Sequence, residues 1–345
     1  MKKNYFEQMS ECFLIAEIGV NHNGDMGLAI KMIDAAKSAG ANAVKFQTFT
    51  AESLVTRSTP KVKYQETTTN PEETHYEMIK NLEFKKENHK QIKKYCDEIG
   101  IMFLSTPYDV KSAIFLNEEI NVEMFKTASA DIIDYPLHRY IASTGKPSII
   151  PIGMATLGEV EDVVEIYNDI NNRNYILLHC VSNYPCSDES LNMRVLQTIS
   201  QAFQIPIGYS DHSNGNIAAV ISVTQGAKVI EKHFTIDKML PGPDQLASST
   251  PEEFDELVRA VRRAEIMMGS PIKRCQSEEK QMAKVSRKSI VINSDMTIGQ
   301  TIETKDLVMK RPGTGLPSKY LDFFVGKKVN KFIKKDSLIS FLDVT

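Results

Sequence analysis

Three short apolar runs in this chain each carry two polar residues two positions apart: Lys45 with Gln47, Ser210 with His212, and Glu231 with His233. Alternate residues of an extended strand share a face, so each pair would point to the same side. Similar residues mark the ends of other runs. Glu17 stands near the end of FLIAEI, Thr106 lies in FLSTP, and Lys126, Ser129 and Asp131 follow one another in FKTASAD. Ser182 and Tyr184 follow the run that ends at Cys180. Two lysines together with several hydroxyls suit a small anion of high charge, with Ser129, Ser182 and Ser210 as neutral donors to phosphate oxygens. A phosphorylated substrate is expected. Two other uses of the lysines stay open: pairing with Glu17 and Glu231 alone, or a Schiff base with a carbonyl substrate.

His212 and His233 could ligate one divalent cation, with water or a carboxylate completing an open shell. Each taken alone reads more readily as a hydrogen-bonded structural histidine, and their place beside the lysine and serine cluster reverses that preference. His179 and Cys180 read as core or supporting residues, and no base is set up to make Cys180 a nucleophile. Asn21, His22 and Asn23 read as turn residues. Arg311 precedes a Pro-Gly turn in KRPGTG, which fixes its backbone and leaves a forked donor to reach a ligand or solvent.

The elements that must hold these residues alternate. Strand-like runs are expected at Phe13 to Ile18, Ala43 to Phe49, Ile101 to Ser105, Met124 to Ala128, Ser148 to Ile152, Tyr175 to Cys180, Ile207 to Ser210 and Lys228 to Phe234. Amphipathic helical segments separate them, several ending in a glycine suited to a C-cap. Eight βα units fit a closed (β/α)8 TIM barrel rather than a doubly wound sheet, and no GxGxxG follows the first run. In such a barrel chemistry is built at the C-terminal strand ends, where the polar residues fall. The connection from Thr50 to Asn88 is too long for an ordinary loop and is expected to lie over the mouth with Tyr64, Gln65 and a short helix. After Gly269 a polar stretch leads to short strand-like pieces, which places a boundary near Lys280 to Lys284, giving units 1–281 and 282–345.

With 41 Lys+Arg against 44 Asp+Glu, the net charge of −3 gives no overall case for nucleic acid or an acidic membrane surface. No run approaches the roughly 20 apolar residues of a membrane span, and Glu7, Glu11 and Glu17 interrupt any signal-peptide core. Five cysteines without CxxC spacing suggest neither a disulfide framework nor a thiolate zinc site, so a reducing cytoplasm is expected.

The segments AEIGVNHNGD, AVKFQTF, FLSTP, FKTASAD, GMAT, HCVSNYP, GYSDH, VIEKHFT, PGPDQLAS and KRPGTG, in this order, resemble the sialic acid synthase family of nonulosonate synthases across essentially the whole chain. The resemblance implies a barrel followed by a small antifreeze-like (SAF, β-clip) domain, in a domain-swapped homodimer where that domain caps the partner's barrel. It implies phosphoenolpyruvate contacts at Lys45, Lys126, Ser129, Ser182 and Ser210, a Mn2+ or Mg2+ ion on His212 and His233, and sugar contacts at Glu17, Gln47, Tyr184 and Asp244. Thr106 joins the substrate-binding candidates, and Arg311 would act in trans on the sugar's N-acetyl group. Asp131 takes the place of a catalytic acid; Asp131, Glu231 and Lys126 form the catalytic set. Three departures stand out: ASAD where GSGE or GSGD is usual, Gln245 where many members have His, and Ser182 where some have Asn.

The reaction so implied is attack of carbon 3 of phosphoenolpyruvate on the open-chain aldehyde of N-acetylmannosamine, balanced at carbon 2 by Asp131 or Glu231, capture of water, and loss of phosphate by carbon–oxygen cleavage. A 2,4-diacetamido-trideoxy sugar, giving legionaminic or pseudaminic acid, is the alternative acceptor. A Schiff-base aldolase is the alternative enzyme and would need no metal.

Overall fold

The computed structural model describes residues 4–62, 65, 69–70 and 72–345, so Tyr64 lies outside the described residues. The chain divides into two compact units, Met1–Gly269 and Ser270–Thr345. The sequence boundary at 281/282 falls inside the second unit, within the helix Glu279–Ser286.

In the first unit, strands β1 (Phe13–Gly19), β2 (Ala43–Thr48), β3 (Met102–Pro107), β4 (Phe125–Lys126), β5 (Ser148–Pro151), β6 (Tyr175–His179), β7 (Ile207–Asp211) and β8 (Val229–His233) form one parallel sheet. Its order is β3-β2-β1-β8-β7-β6-β5-β4, so first and last strands pair, while β3 and β4 lie side by side. This is the expected (β/α)8 barrel. Helices such as Met26–Ser38, capped by Asp25 Oδ1 on Leu28 N, and Leu157–Asp169, opened by a Thr156/Glu159 capping box, cover its outside. The main apolar core lies between strands and helices, with Leu14, Val44, Phe103 and Leu177 meeting Ile33, Ile92 and Val163.

A second apolar cluster fills the start of the barrel interior. Ile15, Ala43, Leu104, Met124, Ile149, Ile176 and Val229 pack there with Phe6, which is fully buried on the 3-10 turn Tyr5–Gln8. Two residues further along the strands the inward positions become Glu17, Lys45, Thr106, Lys126 and Glu231, because the pleat repeats every second residue. The register brings these together: Glu17 stands opposite Lys45 and His233, Gln47 opposite Thr106, and Ser210 opposite Glu231.

One strand differs from expectation. β4 is two residues long, and Ser129 and Asp131 sit on the 3-10 turn Ser129–Ile133 instead of on the strand. Thr127 N still donates to Ile149 O, but Asp131 N turns back onto Ala128 O, which takes the chain out of the ladder. Among its described residues the long second connection includes the helices Ala51–Leu54 and His75–Leu82.

The second unit is built around an antiparallel pair, β9 (Ser289–Ile292) and β10 (Leu307–Lys310). The other strand-like pieces contribute isolated bridges, such as Met296 with Ile333 and Val329 with Val344. Ile290, Ile292, Met296, Ile302, Phe324, Val329, Ile333 and Ile339 form its own core.

Candidate active site

At the C-terminal strand ends a cavity of about 420 Å³ is lined by Glu17, Lys45, Gln47, Thr106, Lys126, Ser129, Ser182, Tyr184, Ser210, His212, Glu231, His233 and Asp244. Of the catalytic, substrate-binding and metal candidates in the first unit, Asp131 alone is missing from the described lining. Arg311 lies in the second unit, where its Nε donates to Ser286 O at 3.1 Å. A larger cleft of about 560 Å³ lies beside β2 and the helix Lys86–Ile99, but acids on its rim are already engaged: Glu52 with Lys80, Asp109 with Ser53 and Ser112.

The cavity floor is a buried cluster of four charges. Lys45 Nζ lies 2.9 Å from Glu17 Oε2 and 3.7 Å from Glu231 Oε2, and Lys126 Nζ lies 3.3 Å from Glu231 Oε1. Lys45 also donates to Thr106 Oγ1 at 2.9 Å, and Ser210 Oγ donates to Glu231 Oε1 at 3.0 Å. The pairing of lysines with Glu17 and Glu231 is therefore present, and the same ammonium groups line the cavity. Burial would raise Glu231, but Lys126 and Lys45 outweigh it and hold this carboxylate below its usual range. Glu17 has one lysine neighbour, and burial, helped by Glu231, raises it to about 7. Burial would lower Lys45, yet Glu17 and Glu231 outweigh it, so Lys45 holds its proton more tightly than usual and is a poor amine nucleophile. Lys126 is shifted down, chiefly by burial. Protonation of Glu17 takes the four groups from neutral to net positive, the state that favours an anion.

The two histidines stand with ring centroids 5.6 Å apart, and Tyr184 packs against His212 at 4.2 Å and His233 at 5.2 Å. His212 Nδ1 lies 2.7 Å from Val181 O, which only accepts, so Nδ1 carries the proton and Nε2 keeps the lone pair in the neutral ring. Burial lowers the proton affinity of both rings, that of His233 strongly, and His233 Nδ1 is buried without a hydrogen-bond partner. Neutral imidazoles, one oriented by a backbone carbonyl, fit a divalent cation. Among the described residues no group of three or more His, Cys, Asp and Glu is arranged to hold a metal, so such an ion would draw its other ligands from water or substrate.

Ser182 Oγ is buried and unpartnered, while Ser129 Oγ accepts from Gly153 N at 3.2 Å and lies 3.1 Å from Cys180 Sγ. A Cβ on Gly153 would come within 3.0 Å of Ser182 Oγ, Cys180 Sγ and Ser129 Oγ, so glycine leaves room for these groups to converge. Burial raises the Cys180 thiol, in keeping with an inert role. His179 Nε2 lies 2.7 Å from Leu191 O and is structural.

His89 and the apolar character of one cavity wall escaped sequence reading, although the long second connection was expected over the mouth. Buried His89 braces Gln47 through its carbonyl at 3.2 Å and Thr48 Oγ1 at 3.0 Å; its distance in sequence gave no signal. Val20, Leu54, Val55, Val62, Met78, Ile79 and Leu82 form an apolar wall of the cavity, and the long second connection supplies all but Val20.

Comparison with known proteins matches residues 32–273 to the NeuB family and residues 287–345 to the SAF domain. An N,N'-diacetyllegionaminic acid synthase of Legionella pneumophila is 42% identical over 323 residues, which cover 92% of this chain and 90% of that protein. The N-acetylneuraminate-9-phosphate synthase of Homo sapiens is 36% identical over 331 residues, covering 95% and 91% respectively. A solved N-acetylneuraminic acid synthetase from Leptospira borgpetersenii, in complex with citrate, superimposes with a TM-score of 0.70 at 36% identity, over 79% of this chain and 90% of that one.

Asp131 is half-buried, its Oδ2 has no hydrogen-bond partner, and burial, with Asp134 and Asp109 nearby, raises it from 3.8 to about 7. The folded chain then binds this proton more tightly than the unfolded one, so the group's contribution to stability is lost as pH rises from about 4 to about 7. Asp131→Asn removes that slope. Melting temperatures of both forms should therefore diverge in favour of the variant between about pH 4.5 and 7.5; a constant difference would show that Asp131 titrates normally.

Proposed function

The chain belongs to the NeuB family, and we propose that its barrel joins phosphoenolpyruvate to an N-acetylated amino-sugar, giving a nine-carbon 2-keto acid and phosphate. It is a phosphoenolpyruvate-dependent, carbon–carbon bond-forming transferase. The observation that carries the finer reading is the buried Lys45/Lys126 floor, held in one cavity with two neutral histidines.

Lys45, Lys126, Ser129, Ser182 and Ser210 are assigned to phosphoenolpyruvate, with Thr106 fixing Lys45 by its hydrogen bond. A Mn2+ or Mg2+ ion on His212 and His233 would polarise the aldehyde oxygen of the acceptor. Glu231, kept ionised by the lysines, offsets positive charge developing at carbon 2 as carbon 3 forms the new bond. Water then adds at carbon 2, and phosphate leaves by carbon–oxygen cleavage. Asp131, raised to about 7 and outside the described lining, is assigned the acid–base exchange with that water; Glu17, raised likewise, lines the cavity itself. Glu17, Gln47, Tyr184 and Asp244 are assigned to the sugar. Residues 282–345 are assigned a capping role in a domain-swapped homodimer, with Arg311 of one chain on the N-acetyl group bound by the other. A cytoplasmic setting, where both substrates would be free solutes, completes the reading.

N-acetylmannosamine is the simplest acceptor, but the apolar wall favours the second reading, a 2,4-diacetamido-trideoxy sugar. A 6-methyl group and a second acetamido methyl would pack there, whereas a hydroxymethyl or phosphate would lose hydration. Among the described lining residues Lys45 and Lys126 are the only lysines, and no arginine joins them to meet a sugar phosphate.

The direct test incubates the chain with phosphoenolpyruvate, Mn2+ and either sugar, following phosphate release and product mass. Release is expected with the diacetamido sugar in preference to N-acetylmannosamine, and a chelator should abolish it; no release, with borohydride trapping at Lys126, would replace this reading with the aldolase. His212→Ala should lower kcat on the order of 100-fold with an unchanged melting temperature, and near-normal turnover would remove His212 from the metal site. Arg311→Ala should raise the acceptor KM by about 10-fold, roughly 1.4 kcal/mol, and that of phosphoenolpyruvate little; equal rises would contradict the capping role.

A further inference from the structure

The segment after β8 brings Pro243 and Asp244 to the cavity wall, although it has no strand or long helix to stiffen it. Side-chain amides from the turn after β1 hold it. Gln245, 1% exposed, donates through Nε2 to Asn21 O at 2.8 Å and accepts at Oε1 from the Thr235 hydroxyl. Asn21, fully buried, donates through Nδ2 to Phe234 O and Ser248 Oγ, both at 2.9 Å. Ser248 Oγ in turn donates to Asp244 O at 2.7 Å, and Asn23 Nδ2 donates to Pro241 O at 2.7 Å. Between them Gly242, at φ +142°, passes so near that a Cβ would meet Asn23 Oδ1 at 3.0 Å. Residues 241–248 are thus fastened at both ends and at Asp244 itself.

We propose that Gln245 and Asn21 are positioning residues that set acceptor affinity by fixing Asp244 against the sugar, through an amide clamp between the loops after β1 and β8. This rests on the assignment of Asp244 to the sugar. None of the clamp's hydrogen bonds reaches Lys45, Lys126, Ser129, Ser182 or Ser210, so phosphoenolpyruvate binding stands apart from it.

The polarity of the clamp is specific. Asn21 O can only accept, so it requires a donor, while the Thr235 hydroxyl has two acceptors in reach, the Gln245 carbonyl and Asp237 O at 3.1 Å. A neutral imidazole also offers one donor and one acceptor; a leucine offers neither and would take the Gln245 donor from the buried Asn21 O. Gln245→His should therefore preserve what Gln245→Leu destroys, which separates hydrogen bonding from the filling of space.

In the full chain, with phosphoenolpyruvate and acceptor varied in turn, Gln245→Leu should raise the acceptor KM about 10-fold. The phosphoenolpyruvate KM should stay within about twofold, and Gln245→His within about threefold of the unaltered chain for both substrates. Asn23→Ala, which removes a bond nearer the surface, gives a milder rise of about threefold in acceptor KM and covers a Gln245→Leu chain that does not fold. An unchanged acceptor KM in Gln245→Leu and Asn23→Ala, a parallel rise in both KM values, or a Gln245→His chain as impaired as Gln245→Leu would overturn the proposal. If the unaltered chain releases no phosphate with either sugar, the functional reading fails by itself. Hydrogen exchange then tests the clamp: faster exchange of amides 241–249 in Gln245→Leu or Asn23→Ala upholds it, and unchanged exchange overturns it.

Discussion

The rest of the site depends on two lysines and two glutamates buried at the middle of the barrel. Lys45 touches both Glu17 and Glu231, and Lys126 touches Glu231, in an interior whose start is filled by an apolar cluster. Charges so placed are costly unless each has a partner, and removal of one leaves another uncompensated. The four groups are therefore obligate neighbours, and the strand register that aligns Glu17 with Lys45 and Ser210 with Glu231 supplies the arrangement.

The chemistry follows from the imbalance within the cluster. Glu231 shares two lysines and stays ionised, while Glu17 has one and takes up a proton near neutral pH. Lys45 is held firmly protonated, which suits charge compensation better than amine attack. Around this floor the site is divided: hydroxyls and imidazoles stand on strand ends, whereas the apolar wall comes from the long second connection. A charged half on the strand ends and an apolar half built by one connection suit an enzyme family with one shared substrate and several acceptors.

Much was legible in the sequence because a barrel strand repeats every second residue. Lys45 with Gln47, Ser210 with His212 and Glu231 with His233 all line the cavity, as their spacing required. The (β/α)8 order was legible because each apolar run is followed by an amphipathic one. Reading failed where the chain leaves its ladder early: the fourth strand was expected to reach Ala128 with Ser129 and Asp131 at its end, but it stops at Lys126, Asp131 N bonds back to Ala128 O and both residues lie on a 3-10 turn. It failed also for His89 and Gln245, whose partners Gln47 and Asn21 are distant in sequence.

By itself, then, the sequence determined the fold, the barrel end that carries the chemistry and which side chains face inward, since local periodicity sets these. Tertiary structure decided which charges pair, which carboxyl keeps its proton, that His212 presents Nε2, and what anchors the loop of Asp244. Those outcomes depend on burial and on distances across strands that meet only when the barrel closes.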